Sequence, residues 1–167
     1  IIKVVGGEDI RIVGGTLVST NGNGVYSVSR EAWHVVTVVG TQGLRLVGLD
    51  IEGVWGDFVY LSADTALDDQ TLTDVRITNN VMRNAGRQGV VLNGGNGVLI
   101  AGNEIRNVAH IVFDSEPTPQ QGFRNVTIDR NVGTGGGLAY FQFSGVADKS
   151  VADHLTITNN VLTGGHF

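Results

Sequence analysis

The sequence predicts an all-β solenoid, and three observations carry that prediction. The first is an internal repeat. V-R-I-T-N-N-V-M-R-N at 75–84 returns as V-L-I-A-G-N-E-I-R-N at 98–107, V-T-I-D-R-N-V at 126–132 and L-T-I-T-N-N-V-L at 155–162. Looser copies, I-R-I-V-G-G-T-L and L-R-L-V-G-L-D-I, start at Ile10 and Leu44. The second is the spacing of the six starts, which lie 34, 31, 23, 28 and 29 residues apart. Units of that size bury their apolar faces only by stacking on neighbours. The third is the pattern within a unit. V-R-I-T and L-T-I-T alternate with period two, as half-buried strands do, and no helical stripe recurs.

Composition agrees with short strands joined by tight turns. The 167 residues include 25 Gly and only 2 Pro, and charged residues make up 16%. Glycine is thus about twice as frequent as usual. The formal net charge is -5, and Lys and Arg are scattered rather than clustered, which argues against nucleic acid as a partner. With no Cys, disulfides and thiolate metal sites are excluded. No stretch is long and apolar enough for membrane insertion by a helix. The chain does not begin with Met, and its last repeat runs out at Phe167 without a cap, so a fragment of a longer protein is expected.

Taken in order, residues 1–5 already read as a strand. Each later unit divides into three. In the best-defined one, 98–100 is a first strand, Gly102 and Asn103 a tight turn, Ile105 lies in a second strand, and 111–113 is a third. The equivalent third strands are 90–92 and 141–143. Inward rows follow: Ile12, Leu46, Ile77, Ile100, Ile128 and Ile157 in one, Leu17, Ile51, Met82, Ile105 and Leu162 in the other. Gly133 interrupts the second row, so a distortion of the coil is expected at 133–137. Asn80, Asn103, Asn131 and Asn160 form a further row, which is assigned to the scaffold. Asn tolerates the left-handed conformation of a tight turn, and its amide can bond the Asn of the next coil. The Gly clusters at 94–97 and 133–137 lead into strands, not helices, and read as turns rather than as phosphate cradles.

The unit apolar-x-Ile-x-(Gly/Asn)-Asn-x-(Ile/Leu/Met), with its Gly- and Asn-rich turns, resembles the right-handed parallel β-helix repeat of the pectate-lyase-like superfamily. The resemblance covers 1–167, taken as a single domain of about six coils. It implies an extracellular or cell-surface protein associated with polysaccharides, either a lyase, epimerase or glycosidase, or a non-catalytic adhesin or spike solenoid. No catalytic signature of a particular member is present, so no catalytic residue is carried over.

Site candidates come from what fails to repeat. Extra residues after the third strand occupy 62–73, 114–122 and 144–152, and in the first unit 21–24 and 29–34. Loops extending from a rigid scaffold are where binding and catalysis usually lie. Asp57 and Asp114 adjoin third strands two units apart. Carboxylates about 5 to 10 Å apart serve glycosidases, and acids of this kind, Glu116 among them, can instead hold Ca²⁺ or stand solvated. Arg87 and His110 precede the third strands of adjacent units, and removal of a proton from a uronate needs a base and a cation. The expected catalytic set is therefore Asp57, Arg87, His110 and Asp114. Trp55, Tyr60, Tyr140 and Glu116 are expected to bind substrate, the rings as platforms for a sugar's apolar face. Alternation points Tyr60 and Tyr140 outward. His34, His154 and His166 lack ligand-like spacing and read as non-catalytic.

Overall fold

A computed structural model describes residues 2–19, 24–63, 72–117, 121–135, 137–144 and 152–164. The described chain winds through six coils of three strands each. They are β1 (Ile2–Val5), β2 (Arg11–Val13) and β3 (Thr16–Val18); β4 (Val36–Val39), β5 (Arg45–Val47) and β6 (Asp50–Val54); β7 (Val59–Ser62), β8 (Thr73–Thr78) and β9 (Val81–Ala85); β10 (Gln88–Asn93), β11 (Gly95–Ala101) and β12 (Glu104–Val108); β13 (Ile111–Ser115), β14 (Phe123–Asp129) and β15 (Val132–Thr134); β16 (Ala139–Phe143), β17 (Ala152–Thr158) and β18 (Val161–Thr163). The first strands of all coils form one parallel sheet, the second strands another and the third strands a third; we call them sheets A, B and C. Sheet A contains the strands read from sequence as the third of each unit.

Register is kept by the inward rows. Leu46, Ile77, Ile100 and Ile128 stack on sheet B and are buried. Ile51, Met82 and Ile105 do the same on sheet C. At Gly133 itself the expected distortion does not occur: Gly133 pairs in register with Ile105 on one side and Leu162 on the other. A Cβ at Gly133 would lie 2.6 Å from Leu162 Cδ2, so the space left by the missing side chain is filled from the next coil.

Each coil turns where one residue adopts a left-handed backbone, and these residues stack. Before sheet B the column is Asp9, Gly43, Asp74, Gly97, Asn125 and His154, with φ from 49 to 73°. Between sheets B and C it is Gly14, Gly48, Asn79, Gly102, Arg130 and Asn159, with φ from 50 to 65°. At the end of sheet C, from the second coil on, it is Gly53, Asn84, Asn107, Gly135 and Gly164. Gly and Asn dominate because they meet the least steric cost there. The regular Asn row is one residue beyond the second column, and its members are not left-handed. Their role is the amide ladder. Asn103 Oδ1 accepts from the backbone N–H of Asn80 at 3.0 Å and from its Nδ2 at 2.9 Å. Asn103 Nδ2 donates to Ile77 O and to Asn131 Oδ1, both at 2.9 Å. Asn131 repeats the arrangement with Asn160.

Insertions sit at two corners. Those at 62–73, 114–122 and 144–152 all join sheet A to sheet B, at the same corner of successive coils. The central residues of these loops, Asp64, Asp68, Asp69, Asp148 and Lys149 among them, lie outside the described residues, as does His166. The first unit's insertion joins β3 to β4 at the corner between sheets C and A, and its described part, 24–34, runs across several coils as a strap. A Cβ on Gly24 would lie 2.6 Å from Asn107 Nδ2, and Tyr26 packs on His110 with ring centroids 4.1 Å apart. Arg30, in the 3-10 turn Val28–Arg30, covers the Trp55 ring at 4.4 Å.

Candidate functional site

The polar groups gather where sheet C hands over to sheet A. Val36, Val59, Val90 and Phe113 are in register on sheet A. Two positions earlier stand His34, Asp57, Gln88 and Ile111; three positions earlier stand Trp33, Gly56, Arg87 and His110. Chemistry-bearing side chains from four successive coils thus share one corner, beneath the strap.

Asp57 is the centre. Its side chain has no exposed surface. Oδ2 lies 3.0 Å from His34 Nδ1 and 3.1 Å from Arg87 Nη1, and Oδ1 accepts the Gln88 backbone N–H at 3.1 Å. Arg87 Nη2 continues to Glu116 Oε2 at 3.3 Å. His34, Asp57, Arg87 and Glu116 therefore form a chain of contacts across four coils.

Asp114 is 1% exposed and accepts a hydrogen bond from Gln88 Nε2. Its Oδ1 is buried without a hydrogen-bond partner among the described residues. Burial, then the neighbouring charge of Glu116, pushes its pKa up to about 7 against the opposing pull of Arg87. Asp114 can therefore hold a proton near neutrality, the state a general acid needs. It does not touch Asp57; Gln88 stands between, taking one acid with its backbone and the other with its side chain. Neither acid is the solvated loop residue that sequence left open.

His110 and Arg87 are neighbours, His110 N donating to Arg87 O at 2.9 Å. Burial, then the Arg87 charge, lowers the His110 pKa below the usual range, while Glu31 and Asp57 oppose the shift. Tyr26 packs on the imidazole, which is only partly exposed.

The aromatic expectations divide. Tyr60 stands on the outer face of sheet A, in register with Thr37 and Val91. Its ring stacks on His34 at 4.8 Å and 9°, and its Oη accepts from Asn93 Nδ2 at 3.3 Å. Tyr140 does not stand outward. It packs against the core beside Phe141 and Phe143, because neighbouring Val112 is itself buried where the alternation slips. Trp55 lies at the corner under Arg30 and lines a pocket of about 430 Å³ with Val54, Trp33 and residues 16–19, away from the outer row of sheet A. Glu116 is half exposed and held by Arg87. Among the described residues no group of three or more His, Asp or Glu is placed to hold a metal ion.

Sequence reasoning missed His34, Gln88 and Lys3. Lys3, Ala32, Trp33, His34, Thr37 and Tyr60 line an open groove of about 610 Å³ on sheet A. Reading each coil in register from its first inward residue finds His34 and Gln88 at once, since they share the column of Asp57.

The right-handed β-helix family matches residues 34–166, and the chain belongs to it. No curated protein and no solved structure matches the chain.

Proposed function

We propose that this β-helix binds an extended anionic polysaccharide along the outer face of sheet A and acts on it by acid–base chemistry at the corner beside the groove. The observation that carries the reading is the groove itself. It brings the ammonium of Lys3, which has no ion-pair partner among the described residues, together with the rings of Trp33 and Tyr60. A cation and aromatic rings lining one groove suit a carboxylate-bearing sugar, whose apolar face stacks while its acid is neutralised. Of the acid–base groups expected from sequence, Asp57 contacts the groove residue His34, and Arg87, His110 and Asp114 follow on the next two coils. On this reading the protein works outside the cell or on its surface, where such polymers are found.

A panel of polygalacturonate, alginate and neutral xylan tests it. Binding is followed by calorimetry, and turnover by new reducing ends and by the ultraviolet absorbance of unsaturated uronates. Binding of the anionic polymers that weakens in Lys3→Ala and Trp33→Ala supports the groove. Failure to bind any of them sinks the proposal.

One observation favours a second reading, a non-catalytic solenoid of a surface or spike protein. Arg87 is satisfied by two carboxylates at once, and its link to His34 through Asp57 staples four coils. Binding without turnover across the panel is the outcome that selects it.

A further inference from the structure

We propose that the pocket sharing Trp33 with the groove is a second subsite for the same glycan, and that Arg30 supplies its cation. The inference rests on the glycan-binding reading above and narrows the ligand to an oligomer with acids on more than one sugar unit.

Trp33 and His34 line both the open groove on sheet A and the pocket of about 430 Å³, so the two concavities share a wall. Both volumes fall in the range of small-molecule sites, about 300–1,000 Å³. Trp33 is 50% exposed. A large ring left open to solvent on the wall between two concavities is placed to carry the apolar face of a sugar. The pocket continues the path round the corner from sheet A towards the end of sheet C. Leu17, Val35 and Val54 give it apolar lining from the edge of the core, and Trp55 lines it as well.

The charges of the two concavities match. The chain carries a net charge of -5, yet neither concavity is lined by Asp or Glu. Lys3 serves the groove. Arg30 serves the pocket, its guanidinium carbon 4.4 Å from the Trp55 ring centre and 5.5 Å from that of Trp33. A guanidinium held over ring faces keeps its N–H groups for another partner. The Arg30 side chain makes no hydrogen bond or ion pair with a described residue, and the adjacent acid, Glu31, accepts from Tyr26 Oη at 2.7 Å instead. Arg30, Trp33 and His34 all belong to the strap, so the segment that fails to repeat supplies both the shared wall and the second cation. One uronate unit can satisfy Lys3 or Arg30; an oligomer laid across Trp33 satisfies both.

Oligogalacturonates and oligomannuronates of one to six units, with xylohexaose as the neutral control, test this by calorimetry. The affinity of the wild type is expected to rise about tenfold at the length that reaches both cations, the scale of one added charge-assisted hydrogen bond. Arg30→Met should remove that rise and leave the affinity for shorter oligomers unchanged, at an unchanged melting temperature. Fluorescence gives a second measurement. The chain has two tryptophans, Trp33 and Trp55; both line the pocket, and Trp33 also lines the groove. In Trp33→Phe, which keeps a ring on the shared wall, the emission of Trp55 reports the pocket alone, and hexagalacturonate is expected to shift it. An unshifted emission while calorimetry still records binding overturns the second subsite and leaves the groove reading standing. So does a hexamer affinity that Lys3→Ala weakens and Arg30→Met does not. Equal affinity for xylohexaose overturns the role given to Arg30. Failure of every oligouronate to bind the wild type overturns both readings.

Discussion

Arg87 Nη1 lies 3.1 Å from Oδ2 of Asp57, a carboxylate with no exposed surface on the preceding coil. Removing one member of a buried pair leaves the other charge without compensation, at a cost of about 3–5 kcal/mol. Arg87→Ala is expected to lose stability on that scale in urea denaturation. Arg87→Lys keeps the charge but cannot span from Asp57 to Glu116, so its loss should be smaller. The double variant Asp57→Asn with Arg87→Met should recover much of the deficit; if it is worse than Arg87→Ala, the pair is not what holds this corner.

Asp114 gives the fold a pH signature. Its folded pKa, about 7, is raised above the usual carboxylate value. Between the unfolded pKa, about 4, and the folded one, the folded state holds a proton that the unfolded state has lost. The stability this group lends is full below about pH 4 and is lost as pH rises towards 7, and the total swing is a few kcal/mol. Asp114→Asn cannot ionise but still accepts from Gln88. Its unfolding free energy should therefore vary less than that of the wild type from pH 5 to 8, with the gain greatest at pH 8. Parallel pH curves for the two proteins would contradict this.

The strap depresses the basicity of His110. Tyr26 packs on the imidazole at 4.1 Å, and burial is the largest cause of the lowered pKa. Tyr26→Ala should let water reach the ring and raise its pKa towards the usual 6.5 or so. Proton NMR of the His110 ring across pH 4 to 8 reads this directly, and an unmoved titration would mean that Arg87 rather than the strap sets the value.

The Asn ladder should be weakest to break at its end. Asn103→Ala strips acceptors from the Asn80 N–H and a donor from Ile77 O, all buried. Orphaned buried groups cost about 1–3 kcal/mol each, so a loss of about 2–4 kcal/mol is expected. Asn160→Ala removes equivalent bonds from a half-buried position in the last described coil and should cost less. Guanidinium denaturation of both variants ranks them; equal losses would show that burial does not set the scale.

The fold was legible because its rule is local. The spacing from Val75 to Val98 and on to Val126 gave the true register on sheet B. The site was less legible because its rule runs across coils. His34 looked isolated when judged by its spacing to other histidines along the chain, yet it lies one coil from Asp57 at the same offset. The strap was invisible for another reason: residues 24–34 carry no period, and their partners Asn107 and His110 lie far along the chain. Tyr140 was misplaced because alternation was assumed to persist through a position where Val112 turns into the core. Gly133 was read as a flaw because its missing side chain could not be matched with Leu162 of the next coil.

The left-handed columns make each turn of the chain interchangeable. Val75 and Val98 occupy the same place in consecutive turns, and both follow a left-handed residue, Asp74 and Gly97. Excising residues 75–97 would join Asp74 directly to Val98 without a change of phase. The Leu49 N–H, which now bonds Asn80 Oδ1, would meet Asn103 instead. Such a protein can lengthen or shorten in genetic steps of one turn, while a step taken between His34 and Glu116 breaks the chain of contacts that joins them.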